Sequence, residues 1–455
     1  MWHPSKKMKR RHFVKACAVA AGVPHVVPAS ALGMDGATAP SERISMGLIG
    51  CGSHGSGWNL DRMFQNADQQ VVAVCDVDAH RLAKAERKVN QHYSAKLGTP
   101  YHVETYGDFR DLINEKKIDA VDVATPDHWH VIPALMALKA GKHVICEKPL
   151  TLTVQEGRTL ANVAKKSGLV FQTASENRSV EAYIRLIELV KAGVLGDIKH
   201  VKILLPPSNR HRRTADATIT TPPKHLNYEM WQGQAPLMPY CASRVHYDFR
   251  WNLAYSGGVI TDWGAHMIDL AHWATGQEHT GPVEVEGQGE FPPRDAVWNT
   301  AQKFHLNFRY ASGLTTELFT DAPGLKFEGT NGWVLSRGWR AAPNSWKTNL
   351  PDLTAIQLPE EQRLRRPRTD GSGGEHMEFT DAIKQGRQPY APAEIGHRTI
   401  SVAHIGNIAM MTGRKLRWDP ARELFPGDDE ANALLNRKQR EPWTIENVDS
   451  WLNVA

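Results

Sequence analysis

The chain of 455 residues has only five cysteines and no C-x-x-C pair, so neither a disulfide framework nor a cysteine-based zinc site is indicated. It has no apolar run of spanning length: the stretch from Ala16 to Val27 is broken by Pro24 and His25, well short of about 18 residues. It holds no internal repeat and no low-complexity tract of consequence. It also lacks a basic body. Of the formal charge of +5, residues 1–31 carry Lys6, Lys7, Lys9, Arg10, Arg11 and Lys15 with no acid, which leaves 48 basic against 49 acidic residues. A nearly neutral remainder supplies no electrostatic footprint for nucleic acid. What remains is an ordinary globular composition, 41% hydrophobic and 23% charged, with length for two or three domains of about 150 residues.

The basic leader has its own pattern. Lys9-Arg10-Arg11-His12-Phe13-Val14-Lys15 precedes the short apolar run, and Ala29-Ser30-Ala31 offers small residues at a cleavage position. This resembles a twin-arginine export signal, with Lys9 at the usual Ser/Thr position and Val14 in place of Leu; Met8 is an alternative start. The resemblance implies a signal peptide over 1–31, a linker over 32–43, engagement of the twin-arginine machinery, a periplasmic or otherwise exported mature protein, and no stable membrane insertion after cleavage.

From residue 44 short apolar runs alternate with helix-length amphipathic segments, as a parallel βαβ sheet requires. Strands are expected over Ile44–Ile49, Val71–Cys75, Ala120–Ala124, Val144–Cys146 and Leu169–Thr173. Gly141 and Gly168 read as helix stops, and Pro133 sets the start of its helix near Val131. Beyond a helix from Ser179 to Ala192 the period changes to two. Phe304, Leu306, Phe308 and Tyr310 alternate with polar residues before a turn at 311–313, and Thr330-Asn331-Gly332 marks a second hairpin. The expected organisation is a nucleotide domain over 44–176 and an α+β domain over 177–455, with helices at His376–Gln385 and Glu394–Thr412. Residues 206–256 form a long insertion rich in Pro, His and aromatics, functional or mobile by its length.

Gly50-Cys51-Gly52-Ser53-His54-Gly55 is a G-x-G-x-x-G directly after the first strand. Its glycines serve, in order, a tight turn, close approach of a pyrophosphate, and packing of helix on strand. Asp76 ends the second strand, where a carboxylate bonds ribose hydroxyls and repels a 2′-phosphate. NAD is therefore favoured over NADP, although Arg81 and Lys84 keep the phosphorylated form open.

Three further motifs carry a resemblance to the glucose-fructose oxidoreductase and inositol dehydrogenase family, Gfo/Idh/MocA. Glu147-Lys148-Pro149 follows a strand end and matches the family's E-K-P; Gly257-Gly258 followed by Asp262 and His266 matches its glycine pair and D-x-x-x-H; Thr125-Pro126 with His130 matches T-P-x-x-x-H. Lys148 at a strand end is delivered to the cofactor edge, where an ammonium orients a hydroxyl and stabilises an oxyanion, or shares its proton if its pKa is depressed. Asp262 and His266 share one helix face, continued by Asp269 and Trp273, beside an apolar stripe of Trp263, Met267, Leu270 and Ala274. Imidazole titrates near neutrality, so His266 is the natural general base and Asp262 its positioning partner. Thr125, Pro126 and His130, with Glu147, would contact the cofactor; Gln172 and Glu176 are weaker candidates. A strand-end lysine, a satisfied core histidine and a plain turn are the structural alternatives. His272 reads as structural or surface.

The resemblance implies an N-terminal Rossmann fold, a doubly wound parallel sheet, plus a C-terminal α+β domain with a large, mostly antiparallel open sheet. It implies oxidation of a sugar or polyol hydroxyl, no metal, and a dimer or tetramer. In the insertion Trp231, His246, Arg250, Trp251 and Tyr255, with Tyr228, combine apolar faces and hydrogen-bonding edges, the mixture a carbohydrate requires. An exported enzyme cannot count on free NAD, so a tightly bound cofactor reoxidised in place is expected. Regeneration by a second sugar, a redox-neutral glycosidase or lyase using transient oxidation, and a non-catalytic sensor stay open.

Overall fold

The hydrophobic run Ile44–Ile49 forms β1 at the centre of a six-stranded sheet whose neighbours are buried on both faces. The computed structural model describes residues 39–208, 215–368 and 374–453; the leader expected over 1–31, most of the linker, Met8 and Cys17 lie outside them. β2 (Gln69–Cys75), β3 (Glu104–Tyr106), β4 (Ala120–Val123), β5 (His143–Cys146) and β6 (Phe171–Thr173) complete the sheet in the order β3-β2-β1-β4-β5-β6, every pair parallel. The strand order reverses between β1 and β4, which opens a crevice at the strands' carboxyl ends. Gly50, Asp76, Thr125, Glu147 and Lys148 follow four of those ends directly or within two residues.

The crossover helices obey the local signals. Asp78 caps the helix Ala79–Leu97 by accepting from the His80 and Arg81 backbone N–H groups, and Thr153 caps Val154–Ser167, which stops at Gly168 with φ +69°. The helix Val131–Lys139 carries Pro133 in its first turn, as expected. β3 was not anticipated: three residues, half-exposed or exposed, carry no readable alternation.

The second sheet has eight strands in the order β13-β12-β11-β7-β10-β9-β8-β14. They are β7 (Ile198–Leu205), β8 (Pro282–Glu290), β9 (Lys303–Tyr310), β10 (Thr315–Thr320), β11 (Gly324–Gly329), β12 (Trp333–Arg337), β13 (Lys347–Thr348) and β14 (Leu416–Arg417). Only β7 and β10 pair in parallel; the others are antiparallel. On β9, Phe304, Leu306, Phe308 and Tyr310 are buried and their alternate neighbours exposed. Thus one face packs on the helices Gly264–Thr275 and Ala393–Thr412 and the other is open. The helix Gly374–Gln385 then returns to the nucleotide half: Thr380 Oγ1 accepts from Asn66 and Gln69, and the Glu375 carbonyl accepts from Gln172 Nε2 at 2.6 Å. That helix is thereby packed into the core of the first sheet, where Phe379 and Ala382 are fully buried.

Candidate active site

The glycine-rich loop is shaped by contact. Gly50 has φ +99°, and a Cβ added there would lie 2.5 Å from the Ala124 carbonyl oxygen; one added at Gly55 would lie 2.0 Å from the Gly50 oxygen. At Gly52 it would meet only Arg81 Nη1, 3.7 Å away, so Gly52 faces open space. That space is a cleft lined by Gly50, Gly52, Ser53, His54, Asp76, Thr125, Pro126, Glu147 and Lys148. Gly55 and Cys51 do not reach it: Gly55 is spent on packing, and the Cys51 thiol is buried against the Cys75 carbonyl. Asp76 Oδ2 accepts from the Cys51 N–H at 2.7 Å and Oδ1 from the Asp78 N–H at 2.8 Å, pinning the loop to the end of β2. Each oxygen keeps a second lone pair for a hydroxyl. Burial pushes the Asp76 carboxyl up to about 6, against those two N–H bonds. Thr125 Oγ1 is buried without a partner. The open Gly52, the carboxylate and this orphaned hydroxyl fit a dinucleotide.

The opposite wall is the insertion. Leu226 bridges Asp78 in antiparallel register, the Ala79 N–H donates to the His225 carbonyl at 2.8 Å, and the His225 ring stacks on His80 at 3.8 Å. Met230, Trp231, His246, Tyr247, Phe249 and Arg250 line the cleft from this side. His246 has φ +57° and stands 3.9 Å from Asp78 Oδ2, at the Asp76–Arg81 end rather than beside Lys148, so its expected substrate contact is corrected to that end. Trp251 and Tyr255 are also corrected. Both are buried away from the cleft, Tyr255 within the insertion's own aromatic core against Trp231 and His128.

At the other end the two halves meet. Lys148 Nζ donates to Asp262 Oδ1 at 2.9 Å, and Arg250 Nε stands 3.5 Å from the same oxygen. Burial works to lower the Lys148 pKa, but the Asp262 carboxylate outweighs it and the pKa is raised, so the ammonium keeps its proton. Of the two roles open to Lys148 from the sequence, that partner favours the charged one, orienting a hydroxyl and stabilising an oxyanion, over sharing a proton through a depressed pKa. Asp262, despite burial, is held well below the carboxylate range by Lys148 and Arg250. His266 lies one turn on, and burial, then the Lys148 charge, lower its pKa well below the ordinary value. It is neutral at pH 7 and does not titrate near neutrality, and its Nδ1 has no partner. Asp269 does not continue this face into the cleft; it is tied to Arg178 by two bonds of 2.7 Å. His272 is buried on the Tyr310 hydroxyl.

His130 is corrected as a cofactor contact. Its Nδ1 and Nε2 are spent on the Pro149 and Thr125 carbonyls at 2.8 and 2.9 Å, so it clamps the two motif loops together. Glu147 Oε1 lies 3.1 Å from both His54 Nε2 and Asn59 Nδ2; Asn59 also donates to Asp122, which meets His376 Nε2 at 3.0 Å. Against the cost of burial, Asp122 and Glu375 raise the His376 pKa to about 10, making it a buried cation beneath the sheet. Its helix lies far along the chain, and no motif pointed to it.

Two more residues escaped the sequence. Between β12 and β13 the chain turns through Gly338 (φ +90°) and Arg340 (φ +57°), and the Arg340 N–H donates to the Tyr183 hydroxyl at 3.0 Å. Trp339 meets the His266 ring edge-on at 4.8 Å and Trp263 at 5.0 Å. The Arg340 guanidinium lies over Trp339 at 5.5 Å and over Trp58 at 5.4 Å, and pairs with Glu176 at 3.0 Å. Trp58 in turn stacks on His54 at 6.3 Å. His54, Trp58, Arg340, Trp339 and His266 thus form a continuous run of side-chain contacts, with Glu147 bonded to His54 at one end and the Lys148–Asp262 pair one turn from His266 at the other. A tryptophan and an arginine in a loop carry no signal of their own.

Residues 44–175 match the family model described as an oxidoreductase-family NAD-binding Rossmann fold, and residues 211–445 match that family's C-terminal alpha/beta domain. Glycosyl hydrolase family 109 protein 2 of Shewanella sp. (strain ANA-3) is 28% identical over 35% of this chain and 34% of its own length, so the chain spans about a third of that relative. A scyllo-inositol 2-dehydrogenase (NADP(+)) of Bacillus subtilis is 24% identical over 69% of this chain and 82% of its own. Among solved structures, an aldose-aldose oxidoreductase of Caulobacter crescentus complexed with glycerol superposes with a TM-score of 0.58 at 20% identity, over 82% of this chain and 99% of that one. With both domain models matched in order along one chain, this protein belongs to the Gfo/Idh/MocA oxidoreductase family.

Proposed function

We propose that the protein oxidises a hydroxyl of a sugar or polyol, using a nicotinamide dinucleotide, NAD in preference to NADP, that it holds tightly. The single observation carrying this reading is the 2.9 Å bond between Lys148, at the end of β5, and Asp262, one turn before His266. It brings a charged ammonium from one half and a neutral imidazole from the other to the same end of the cleft.

The bound nucleotide supplies a hydride acceptor; the chain supplies the rest. Gly52 admits the pyrophosphate, Asp76 takes ribose hydroxyls, and Thr125 and Pro126 face the nicotinamide. Asp262 keeps Lys148 protonated, so the ammonium donates to the substrate oxygen and stabilises charge that develops there. Burial and the Lys148 charge keep His266 unprotonated, so it is ready to take the hydroxyl proton. Retention is supported by the insertion, which binds the rim of the nucleotide half through Leu226 and His225 and roofs the cleft with Trp231 and Phe249. It is supported too by the twin-arginine-like leader, since an exported enzyme must carry its cofactor with it. The open face of the second sheet is the surface through which we propose the subunits associate.

The second reading is redox-neutral cleavage of a glycosidic bond by transient oxidation. The aromatic, cationic group beside His266 and the similarity to the Shewanella glycosyl hydrolase family 109 protein favour it. Product balance separates the two: a keto-sugar or lactone with reduced acceptor supports net oxidation, cleavage at unchanged redox state the alternative. The test of the shared site is to denature the exported protein and identify released nucleotide by mass spectrometry. Recovery of apoprotein that turns over only with added NAD would overturn retention. Full turnover by the Lys148→Ala and His266→Ala variants would overturn the site.

A further inference from the structure

The eight side chains of this contact run and its ends fall into two unlike halves. Asp262, Glu147 and His266 are buried, and the Lys148 side chain is only 15% exposed. His54 is 40% and Arg340 30% exposed, and Trp58 and Trp339 are half-buried. Whatever rests on Trp339 therefore lies nearer solvent than a hydroxyl held between Lys148 and His266, yet in contact with the same imidazole.

The outer half is built, not incidental. Arg340 occupies the left-handed backbone region, which is sterically costly for a non-glycine residue. The conformation is held by the Tyr183 hydroxyl on its N–H and by Glu176 on its guanidinium. The result sets the Trp339 indole against the His266 ring and the Arg340 guanidinium beside the Glu176 carboxylate. Arg340 Nε is buried without a partner, as are His266 Nδ1 and, beside Glu176, both side-chain polar atoms of Asn177, which is 1% exposed. Buried polar atoms left unmade mark places where a ligand supplies the missing bond. An indole with a donor and a carboxylate beside it is the pairing a sugar ring uses, apolar C–H face on the aromatic and hydroxyls on the polar groups.

We propose that Trp339, Arg340 and Glu176 form a second saccharide subsite that receives a sugar unit joined to the one being oxidised, so that the substrate is a glycoside rather than a free monosaccharide. The proposal rests on the carbohydrate reading above and extends it to the group beyond the reacting ring. Trp58 is covered by two guanidinium groups, Arg62 at 3.9 Å and Arg340 at 5.4 Å, whereas Trp339 carries Arg340 alone, at 5.5 Å, among the described residues.

The test is calorimetric titration of the purified holoenzyme with matched pairs: galactose and lactose, glucose and cellobiose, N-acetylglucosamine and its β-1,4-linked dimer. In at least one pair the disaccharide should bind about tenfold more tightly, the worth of one aromatic stack with its hydrogen bonds. Trp339→Ala should erase that difference and leave the monosaccharide within about twofold, and Trp339→Phe should restore part of it, separating a lost platform from a misfolded loop. Equal binding within every pair, or equal loss from both members in Trp339→Ala, overturns the subsite and leaves the proposed oxidation standing. Binding of no sugar in the panel overturns both.

Discussion

At the carboxyl ends of β1, β2, β4 and β5 the site residues stand on backbone the sheet has already fixed. Opposite them, Trp231, His246 and Arg250 come from short helical turns of the insertion, and Trp339 and Arg340 from the turn between β12 and β13, all outside both sheets. Of the three non-glycine residues with positive φ among those described, two, His246 and Arg340, belong to this second wall. The sheet wall holds groups that any hydroxyl oxidation needs: glycines, a ribose-binding carboxylate, an ammonium. The loop wall holds aromatics and arginines, whose identity depends on what is bound. Chemistry is anchored where strain is low, and selectivity is placed where loops can vary without disturbing the sheet.

That contrast can be broken most sharply at Lys148 and His266. Lys148→Ala should lower kcat about 10³-fold, and His266→Ala by a similar factor, within the range of a lost acid–base group. Steady-state assays on an identified sugar check both: an unchanged kcat in Lys148→Ala would move the chemistry off the sheet end, and in His266→Ala off the helix Gly264–Thr275. Because the His266 pKa lies well below 6.5, the imidazole stays unprotonated as pH falls through 6.5. The acid limb of kcat is therefore expected below pH 6.5, and a half-maximum at 6.5 would refute the assignment.

Next in size is the buried cation under the sheet. Removing one member of a buried ion pair costs about 3 kcal/mol, so His376→Gln should unfold at markedly lower denaturant. Its folded pKa, about 10, exceeds the unfolded value. The stabilisation is thus complete below about pH 6.5 and lost as pH rises through 10. The gap between wild type and variant, followed by urea titration, should close across that window.

Asp76 sharpens the sheet wall at smaller scale. With its carboxyl pushed up to about 6, dinucleotide affinity should weaken as pH falls through 6, because protonation removes a ribose acceptor. Asp76→Ser should abolish that dependence and relax discrimination against the 2′-phosphate about tenfold, within the worth of a charge-assisted hydrogen bond. The smallest effect is expected on the loop wall: His246→Ala should speed nucleotide release only a few-fold, since Leu226 and His225 still bind the rim. A larger change would make His246 the main fastening.

Much of this was legible in the chain. The strands at Ile44, Ala120 and His143, the alternation on β9 and the hairpin at Thr330–Gly332 follow from apolar period and turn residues acting over a few positions. Lys148, Asp262 and Glu147 were legible because their motifs sit at strand ends or on one helix turn. His130 misled: a histidine in a motif carries the same letter whether it faces a ligand or two carbonyls. Trp251 and Tyr255 misled likewise, for an aromatic packs a core as readily as it binds sugar: Tyr255 packs in the insertion's own aromatic core and Trp251 in the main hydrophobic core.

Local order determined the sheet, the glycine turn and the residue types at the strand ends, because periodicity, capping and φ preferences act within about ten residues. The protonation states were decided only by tertiary structure. Lys148 keeps its proton because Asp262, 114 residues away, reaches it, and His266 loses its own because burial and that same ammonium disfavour a second charge. Charge–charge energy depends on distance and burial in space, and neither is written in the separation of residues along a chain.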